Sequence, residues 1–340
     1  MSAEYRVQWV DAAKGIGIFL VVFGHVWRGL EAAGIIEKDA TFVSIDNAIY
    51  LFHMPLFFVL SGMFFEKGVL RDGIQRSFLK RVETLLYPLV VWSYISAIFL
   101  YAASGLTNRG GLSISDILLY PFPPKDIYWF LAALFIVQSL ASIFAFMNFS
   151  GKYWIGLIIA SLFVLFLKTE AWPFWIQGTI DNAPLFFVGL IISRWRPTKS
   201  QAWLGLGIFL AAELWAITRS VVLDAPGDFF PGAAATVGLI AFFSQALCAQ
   251  NVFVRCAAFA GRASMTVYVS HIICMAGVRI ALMKLGVEDV AIHVVIGSVG
   301  GFFLPLVLHQ MLNRTGMLRL LGLGRQKAML ISAAAQDISR

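Results

Sequence analysis

Long apolar runs, separated by short loops that carry glycine, proline and charge, fill most of this chain of 340 residues. A run of roughly 17 to 25 apolar residues is long enough to cross the hydrocarbon core of a bilayer as an α-helix. The chain offers about ten such runs. The pattern therefore predicts an all-α fold, a polytopic transmembrane bundle of about ten helices that is embedded in the lipid bilayer.

Composition agrees with a membrane protein and leaves little room for a separate soluble domain. Hydrophobic residues make up 59% of the chain, charged residues make up 13%, and the mean hydropathy is +0.80. We expect residues 1–312 to form the transmembrane domain and residues 313–340 to form a basic cytoplasmic tail.

The distribution of lysine and arginine predicts the orientation. If the N-terminus is inside, about two-thirds of the 26 basic residues fall in cytoplasmic loops or in the tail, which favours cytoplasmic positions for both termini. This asymmetry accounts for the net charge of +7, so the charge gives no reason to expect a nucleic-acid partner.

The first apolar run carries a polar stripe. Asp11, Lys14 and His25 fall within about 60° of one another on a helical wheel, and the stripe extends roughly 21 Å along the helix. Ionisable groups at membrane depth indicate function more often than packing. His25, toward the outer end, is the leading catalytic candidate, and its alternative is a hydrogen-bonded packing histidine.

A second polar face lies on the next predicted helix, which we expect to begin near Asn47. His53 would then lie level with His25, and Ser61 would lie about 12 Å further inward on the same face. Two other interpretations stay open. Ser61 and Gly62 can simply allow close helix packing, and His53 can be interfacial, beside a helix start with Pro55 in its first turn.

A third stripe appears late in the sequence GRASMTVYVSHIICMAGVR. Its members lie within about 80° on a helical wheel, which predicts either the wall of a cavity or a hydrogen-bonded seam between helices. They are Gly261, Ser264, Tyr268, His271 and Arg279. His293 and His309, each alone in an apolar run, are interpreted as structural.

Several catalytic signatures do not occur in the sequence. There is no HExxH or paired CxxC motif, no phosphate-binding loop of the Walker type and no GxSxG turn. No metal site is predicted. The three cysteines have the placement of small hydrophobic residues.

Taken in order, the motifs resemble those of the membrane acyltransferase 3 family, and within it the branch of fucose 4-O-acetylase-like proteins. The resemblance extends over nearly the whole chain. It is carried by Asp11, Lys14-Gly15, Gly24-His25, FHMPLFF over residues 52–58, Ser61-Gly62, FLKRVETLLYP, Trp129-Phe130-Leu131, Phe186-Phe187 with Gly189, and the pattern Gly261, Ser264, Tyr268, His271.

The resemblance implies a bacterial inner-membrane enzyme that transfers an acyl group, usually acetyl from acetyl-CoA, to a hydroxyl of an extracytoplasmic sugar or glycan unit. Such an acceptor is a glycan or a lipid-linked sugar. His25 would act as general base on the acceptor hydroxyl. Candidates for catalytic support are His53, Ser61, Tyr268 and His271.

The phosphates of CoA need basic partners on the inner face. Candidates for donor binding are Lys14, Arg71, Arg76 and Arg81, although cationic loops also serve simply as topology determinants. Trp129, Trp172 and Trp175 are candidates for stacking on an acceptor sugar, with interfacial anchoring as the alternative.

Two other functions fit the same polar residues. A carrier or flippase for a glycolipid or metabolite would line a permeation path with them, although the sequence shows no repeat with broken helices in corresponding halves. The same fold can also transfer succinyl or another acyl group.

The orientation can be tested with reporter fusions. A periplasm-specific reporter fused after Gly111 should be active, and the same reporter fused after Lys199 should be inactive, because these loops lie on opposite sides of the predicted membrane. A cytoplasmic location for Gly111 would contradict the predicted topology.

Overall fold

The computed structural model describes residues 3–103, 112–146, 151–248 and 251–324. Across these ranges the regular structure is helical and contains no strand. Helices satisfy their own backbone hydrogen bonds, which hydrocarbon cannot do. The helices are α1 (Ala3–Glu31), α2 (Ala40–Tyr50), α3 (His53–Asp72), α4 (Ile74–Arg81), α5 (Tyr87–Ala102), α6 (Ile114–Leu118), α7 (Trp129–Phe146), α8 (Gly151–Phe166), α9 (Phe174–Ile192), α10 (Lys199–Ile217), α11 (Phe229–Ala246), α12 (Val252–Arg262), α13 (Ser264–Lys284) and α14 (Val290–Arg314).

Nine helical stretches within the described ranges are long and apolar enough to cross a membrane. A tenth apolar helix, Tyr153–Phe166 within α8, is shorter. The predicted polytopic helical bundle is therefore confirmed. Following the predicted orientation, we call the side that holds the C-terminal end of α1 the outer side.

Helix α1 packs against the last third of the chain. α12 runs antiparallel to the first half of α1, and glycines make the contact close, since a methyl group on Gly15 would overlap the carbonyl of Ala257 and one on Gly261 would overlap the carbonyl of Asp11. α13 and α14 pack along the rest of α1. The first and third polar stripes of the sequence therefore meet at one interface.

The second transmembrane stretch begins earlier than the sequence pattern indicated. α2 starts at Ala40, not near Asn47, because the carboxylate of Asp39 caps the helix by accepting a hydrogen bond of 2.7 Å from the Phe42 amide. The helix is interrupted at Leu51 and Phe52, and α3 then starts at His53. Tyr50, the last residue of α2, and His53, the first residue of α3, are therefore one turn apart in the chain.

Asn47 fixes the outer end of this stretch. Its side-chain amide donates hydrogen bonds to the carbonyls of Ala216 (3.2 Å) and Val221 (3.0 Å), and its oxygen accepts one from the Leu223 amide (3.0 Å). The residue is fully buried. Asn47 therefore connects α2 to the end of α10 and to the loop that follows it.

The chain beyond α14 returns to α5. The Tyr87 hydroxyl donates to the carbonyl of Leu320 (2.7 Å), and the Trp92 indole donates to that of Leu321 (3.0 Å). The first part of the segment expected to form a cytoplasmic tail is thus packed on the bundle. Residues 325–340 of that tail lie outside the described residues.

Helices α3 and α9 touch through glycine. A methyl group on Gly62 would overlap the carbonyl of Phe186, and one on Gly189 would overlap that of Val59. The pair Ser61-Gly62 thus allows the close helix approach that the sequence left open as one of its explanations.

Replacing Gly62 by alanine should destabilise the bundle. The added methyl group meets backbone that has no flexible side chain to move aside, and overpacking of this kind costs about 1–3 kcal/mol. Thermal unfolding in detergent measures the effect. Gly156→Ala in α8, where a methyl group would enter open space, is the matched control. Equal melting temperatures for the two variants would contradict the close contact.

Candidate active site

His25 faces the interior of the bundle. Its ring centroid lies 5.1 Å from that of His271 on α13 and 6.5 Å from that of Tyr50 at the end of α2. His25 keeps part of its surface accessible, while His271 is completely buried. The leading catalytic candidate of the sequence therefore lies among polar partners and not against lipid.

Tyr50 links the two histidines of the first and second stripes. Its ring meets that of His53 edge to face at 4.5 Å, and its Cε2 atom lies where a methyl group on Gly24 would come within 3.1 Å. Because Gly24 has no side chain, the phenol end of Tyr50 has space beside His25. The Tyr50 hydroxyl oxygen is buried and has no hydrogen-bond partner among the described residues.

The guanidinium group of Arg28 packs on the face of the Tyr50 ring. Its guanidinium carbon lies 3.2 Å from the centroid of the Tyr50 ring, a cation–π contact. The same guanidinium makes a bidentate pair with Asp46, with Nε–Oδ1 at 2.5 Å and Nη2–Oδ2 at 2.8 Å. Asp46 is 1% exposed, whereas Arg28 is partly solvated on the outer side. The pair holds the guanidinium in place, and the guanidinium in turn fixes the Tyr50 ring.

The tautomers of His53 and His271 follow from their hydrogen bonds. Nδ1 of His53 lies 2.7 Å from the Ile49 carbonyl, and Nδ1 of His271 lies 2.7 Å from the Tyr268 carbonyl. A carbonyl oxygen only accepts, so each Nδ1 carries the hydrogen and each Nε2 presents a lone pair. Nε2 of His271 is buried and has no partner in the described part of the chain.

Two other candidates for catalytic support are engaged in helix packing. The Ser61 hydroxyl accepts a hydrogen bond of 2.9 Å from the Gln138 side chain, two helical turns inward from His53. The Tyr268 hydroxyl donates to the carbonyl of Ile127, and its ring lies 6.2 Å from that of His271. The structure therefore brings His25, His53 and His271 together and places Ser61 and the Tyr268 hydroxyl outside that group.

The three candidate tryptophans do not form one stack. Trp129 packs in the interior, stacked on Phe58 at 6.4 Å and edge to face with Phe174 at 6.1 Å. Trp172 is 37% exposed in the loop before α9, and Trp175 is half-buried in the first turn of that helix. Trp129 nevertheless lies at the same end of α9, because Phe174, which it contacts, stands between Trp172 and Trp175 in the sequence.

On the inner side, the basic candidates divide into surface and interior groups. Arg71 and Arg76 are exposed, and Arg71 pairs with Asp72 at 3.0 Å, as Lys80 does at 2.8 Å. Lys14 is half-buried on α1 near the contact with α12. Arg71 and Arg76 are thus surface residues, whereas Lys14 lies at a contact between helices.

Arg81 differs from the other cations. It is 6% exposed, lies 5.8 Å from the ring centroid of Phe65, and its Nε and Nη2 atoms have no hydrogen-bond partner among the described residues. The buried Ser77 hydroxyl, one turn earlier on α4, is likewise without a partner there. A π-helical turn, Val82–Leu86, follows directly. Such turns often occur at functional sites, and a buried cation whose donors are unused is suited to an anion.

Sequence reasoning missed Tyr50, Arg28 and Asp46. Arg28 lies in the last turn of α1. The available signal was spacing: Arg28 follows His25 by three residues and Asp46 precedes Tyr50 by four, so each pair shares a helix face. Only the packing of α1 on α2 shows that the two faces meet.

Comparison with known proteins gives a consistent result. The acyltransferase domain that defines the acyltransferase 3 family matches residues 7–310. The chain is 29% identical over 228 residues to nodulation protein NolL of Sinorhizobium fredii (strain NBRC 101917 / NGR234), covering 66% of this chain and 58% of the relative. It is 29% identical over 198 residues to nodulation protein NolL of Mesorhizobium japonicum (strain LMG 29417 / CECT 9101 / MAFF 303099), covering 55% and 50%.

The chain thus spans little more than half the length of these curated relatives. No solved structure matches. The domain match covers most of the chain, includes every helix from α1 to nearly the end of α14, and agrees with the order of motifs found in the sequence. The chain belongs to the membrane acyltransferase 3 family.

Proposed function

We propose that this membrane acyltransferase moves an acetyl group from cytoplasmic acetyl-CoA to a hydroxyl of a sugar acceptor on the outer side of the bacterial inner membrane. One observation carries the proposal. His25, Tyr50 and His271 meet inside the bundle, and both the Tyr50 hydroxyl and Nε2 of His271 are buried without a partner among the described residues. Unused donors and acceptors beside an accessible imidazole are suited to a bound substrate.

In the proposed reaction, His25 is the general base. Neutral imidazole takes the proton from the acceptor hydroxyl as its oxygen attacks the thioester carbonyl, so that the new C–O ester bond forms. The C–S bond then breaks, and the proton passes from His25 to the departing CoA thiolate. General base catalysis of this kind contributes about 10² to 10⁴ in rate. The bare Nε2 of His271 provides a second proton acceptor beside His25.

We propose that the Tyr50 hydroxyl donates a hydrogen bond to the thioester oxygen, on which negative charge develops. During attack the carbonyl oxygen becomes an oxyanion, and a preorganised O–H donor stabilises that charge best where water is scarce. The Tyr50 ring is fixed by Arg28 and Gly24, and its hydroxyl makes no competing hydrogen bond within the described residues. Tyr268, in contrast, already donates to a backbone carbonyl.

We propose that Arg81 binds the acyl donor at the inner side. Its unused guanidinium donors can engage a phosphate of CoA, whereas Arg71 is already paired with Asp72. Arg76, Arg71 and Lys14 would act by attracting the polyanionic donor to this side. The thioester arm would then extend between the helices toward His25.

The proposed binding of the sugar acceptor is supported only by the positions of the candidate tryptophans. Trp172 and Trp175 lie near the outer surface, where an aromatic face can stack on a sugar ring. Trp129, which is held against Phe58, would support this wall from inside.

Substituting His25 should remove acyl transfer. In purified protein that is supplied with acetyl-CoA and a panel of methyl glycosides, His25→Gln should lower the rate of free CoA release by at least about 100-fold, because the proton acceptor is lost. His309→Gln is the matched control, since that histidine contacts Thr266 away from the site. Normal release by His25→Gln would contradict the assignment. No release by the wild type with any acceptor would favour a carrier.

Tyr50→Phe separates catalysis from packing. The hydroxyl is buried without a hydrogen-bond partner among the described residues, so its removal should change the melting temperature little. It should nevertheless lower kcat by about 100-fold with little change in KM, as expected when one oxyanion donor is lost.

Tyr94→Phe serves as the control for this measurement, because Tyr94 is an exposed tyrosine whose hydroxyl donates to the Leu118 carbonyl. Unchanged kcat in Tyr50→Phe would overturn the role of Tyr50 and leave that of His25 standing.

A further inference from the structure

A small cavity lies between the outer ends of α1, α13 and α14, beyond the group around His25. Most of its wall is apolar. It is lined by Val26, Gly29, Leu30, Met275, Ala276, Arg279, His293 and Gly297. Only Arg279 and His293 bring polar side chains to it.

Arg279 contributes an unused donor to this cavity. Its Nη1 atom donates a hydrogen bond of 2.6 Å to the carbonyl of Gly29, which orients the guanidinium toward α1. The Nε atom is buried and has no hydrogen-bond partner among the described residues. A buried N–H without a partner costs free energy, so this atom is suited to an acceptor that is bound in the cavity.

His293 contributes an unused acceptor. Its Nε2 atom lies 2.8 Å from the carbonyl of Val287, so Nε2 carries the hydrogen and Nδ1 presents a lone pair. The residue is 2% exposed, and Nδ1 has no partner in the described part of the chain. The hydrogen bond to Val287 therefore fixes the orientation in which the free lone pair is buried.

One donor and one acceptor in an otherwise apolar cavity match a hydroxyl group, which accepts one hydrogen bond and donates another. A carboxylate or phosphate would satisfy Arg279 but would face the lone pair of His293. The cavity has a volume of about 20 Å³, which is enough for one hydroxyl group and too small for a sugar ring. We propose that Arg279 and His293 bind one hydroxyl of the sugar acceptor in this cavity. The site selects a neutral polyol and positions it for transfer.

The location of this site deepens the proposed function and rests on it. Gly29 follows His25 by one helical turn, a rise of about 6 Å, and Arg279 lies two turns beyond His271 on α13. An acceptor that places one hydroxyl at His25 would therefore reach this cavity with another hydroxyl of the same or the adjacent sugar. The cavity lies on the outer side, where that acceptor would enter.

The kinetic test compares KM values for the two substrates. With acetyl-CoA and the methyl glycoside that gives the fastest CoA release, Arg279→Gln and His293→Gln should each raise the KM for the glycoside by about 10-fold, the effect of losing one buried hydrogen-bond partner. The KM for acetyl-CoA should stay unchanged. Matched controls are Lys284→Gln, at the exposed end of α13, and His309→Gln on α14, which should leave both KM values as in the wild type. An unchanged glycoside KM in both cavity variants would overturn the site.

A binding measurement keeps this inference separable from the proposed reaction. Saturation-transfer NMR with methyl glucoside, galactoside, mannoside, rhamnoside and fucoside detects binding to full-length protein in nanodiscs without turnover. We expect a signal with the wild type and both controls that is lost in both cavity variants. Equal signals in all proteins, or no signal with any glycoside, would overturn the hydroxyl site. Glycoside binding without CoA release from acetyl-CoA would instead contradict the proposed function.

Discussion

Hydrocarbon offers a polar group no water to bind, so a helix that crosses a membrane must find partners for its polar side chains inside the protein. Most of this bundle obeys that constraint, as when Asn47 satisfies three backbone groups and the Ser96 and Tyr128 hydroxyls bind each other at 2.7 Å. Some groups among the described residues are exceptions. Those on Tyr50 and His271 flank His25, and those on Arg81 lie near the inner side. Others lie elsewhere in the bundle, on Ser93, Ser139, Glu213 and Ser298.

The exceptions on Tyr50, His271 and Arg81 lie at depths that suit the two substrates of the proposed reaction. In that proposal the thioester donor is an anion from the cytoplasm, and a buried guanidinium is the group most suited to hold it. The proposed acceptor presents hydroxyls, for which imidazole lone pairs and a phenol are suitable partners. Helix packing fixes the depths of these groups in the bundle. Helix α1 is continuous from Ala3 to Glu31. Its contact with α12 in the inner half and its contact with His271 in the outer half are therefore held at a fixed separation.

The sequence predicted the fold well because membrane helices are defined by length and apolarity, which are local properties. It also predicted that His25, His53 and His271 would lie at membrane depth, because each belongs to a polar stripe with helical spacing. It did not predict Tyr50, since the place of that ring depends on Gly24 on another helix and on the pair between Arg28 and Asp46. The start of α2 was misplaced because the Asp39 cap extends the helix beyond the apolar run. The catalytic and binding roles of all candidate residues, Ser61 and Trp129 among them, stay predictions, because residue type does not reveal which neighbour a side chain contacts.

The segment after α14 has a consequence for biogenesis. Tyr87 and Trp92 on α5 receive their carbonyl partners from Leu320 and Leu321, which leave the ribosome long after α5 has entered the bilayer. Until the segment after α14 has been translated, the indole N–H of Trp92 lacks the acceptor that it has in the folded protein. The packing of α5 is therefore completed only after α14 has been made.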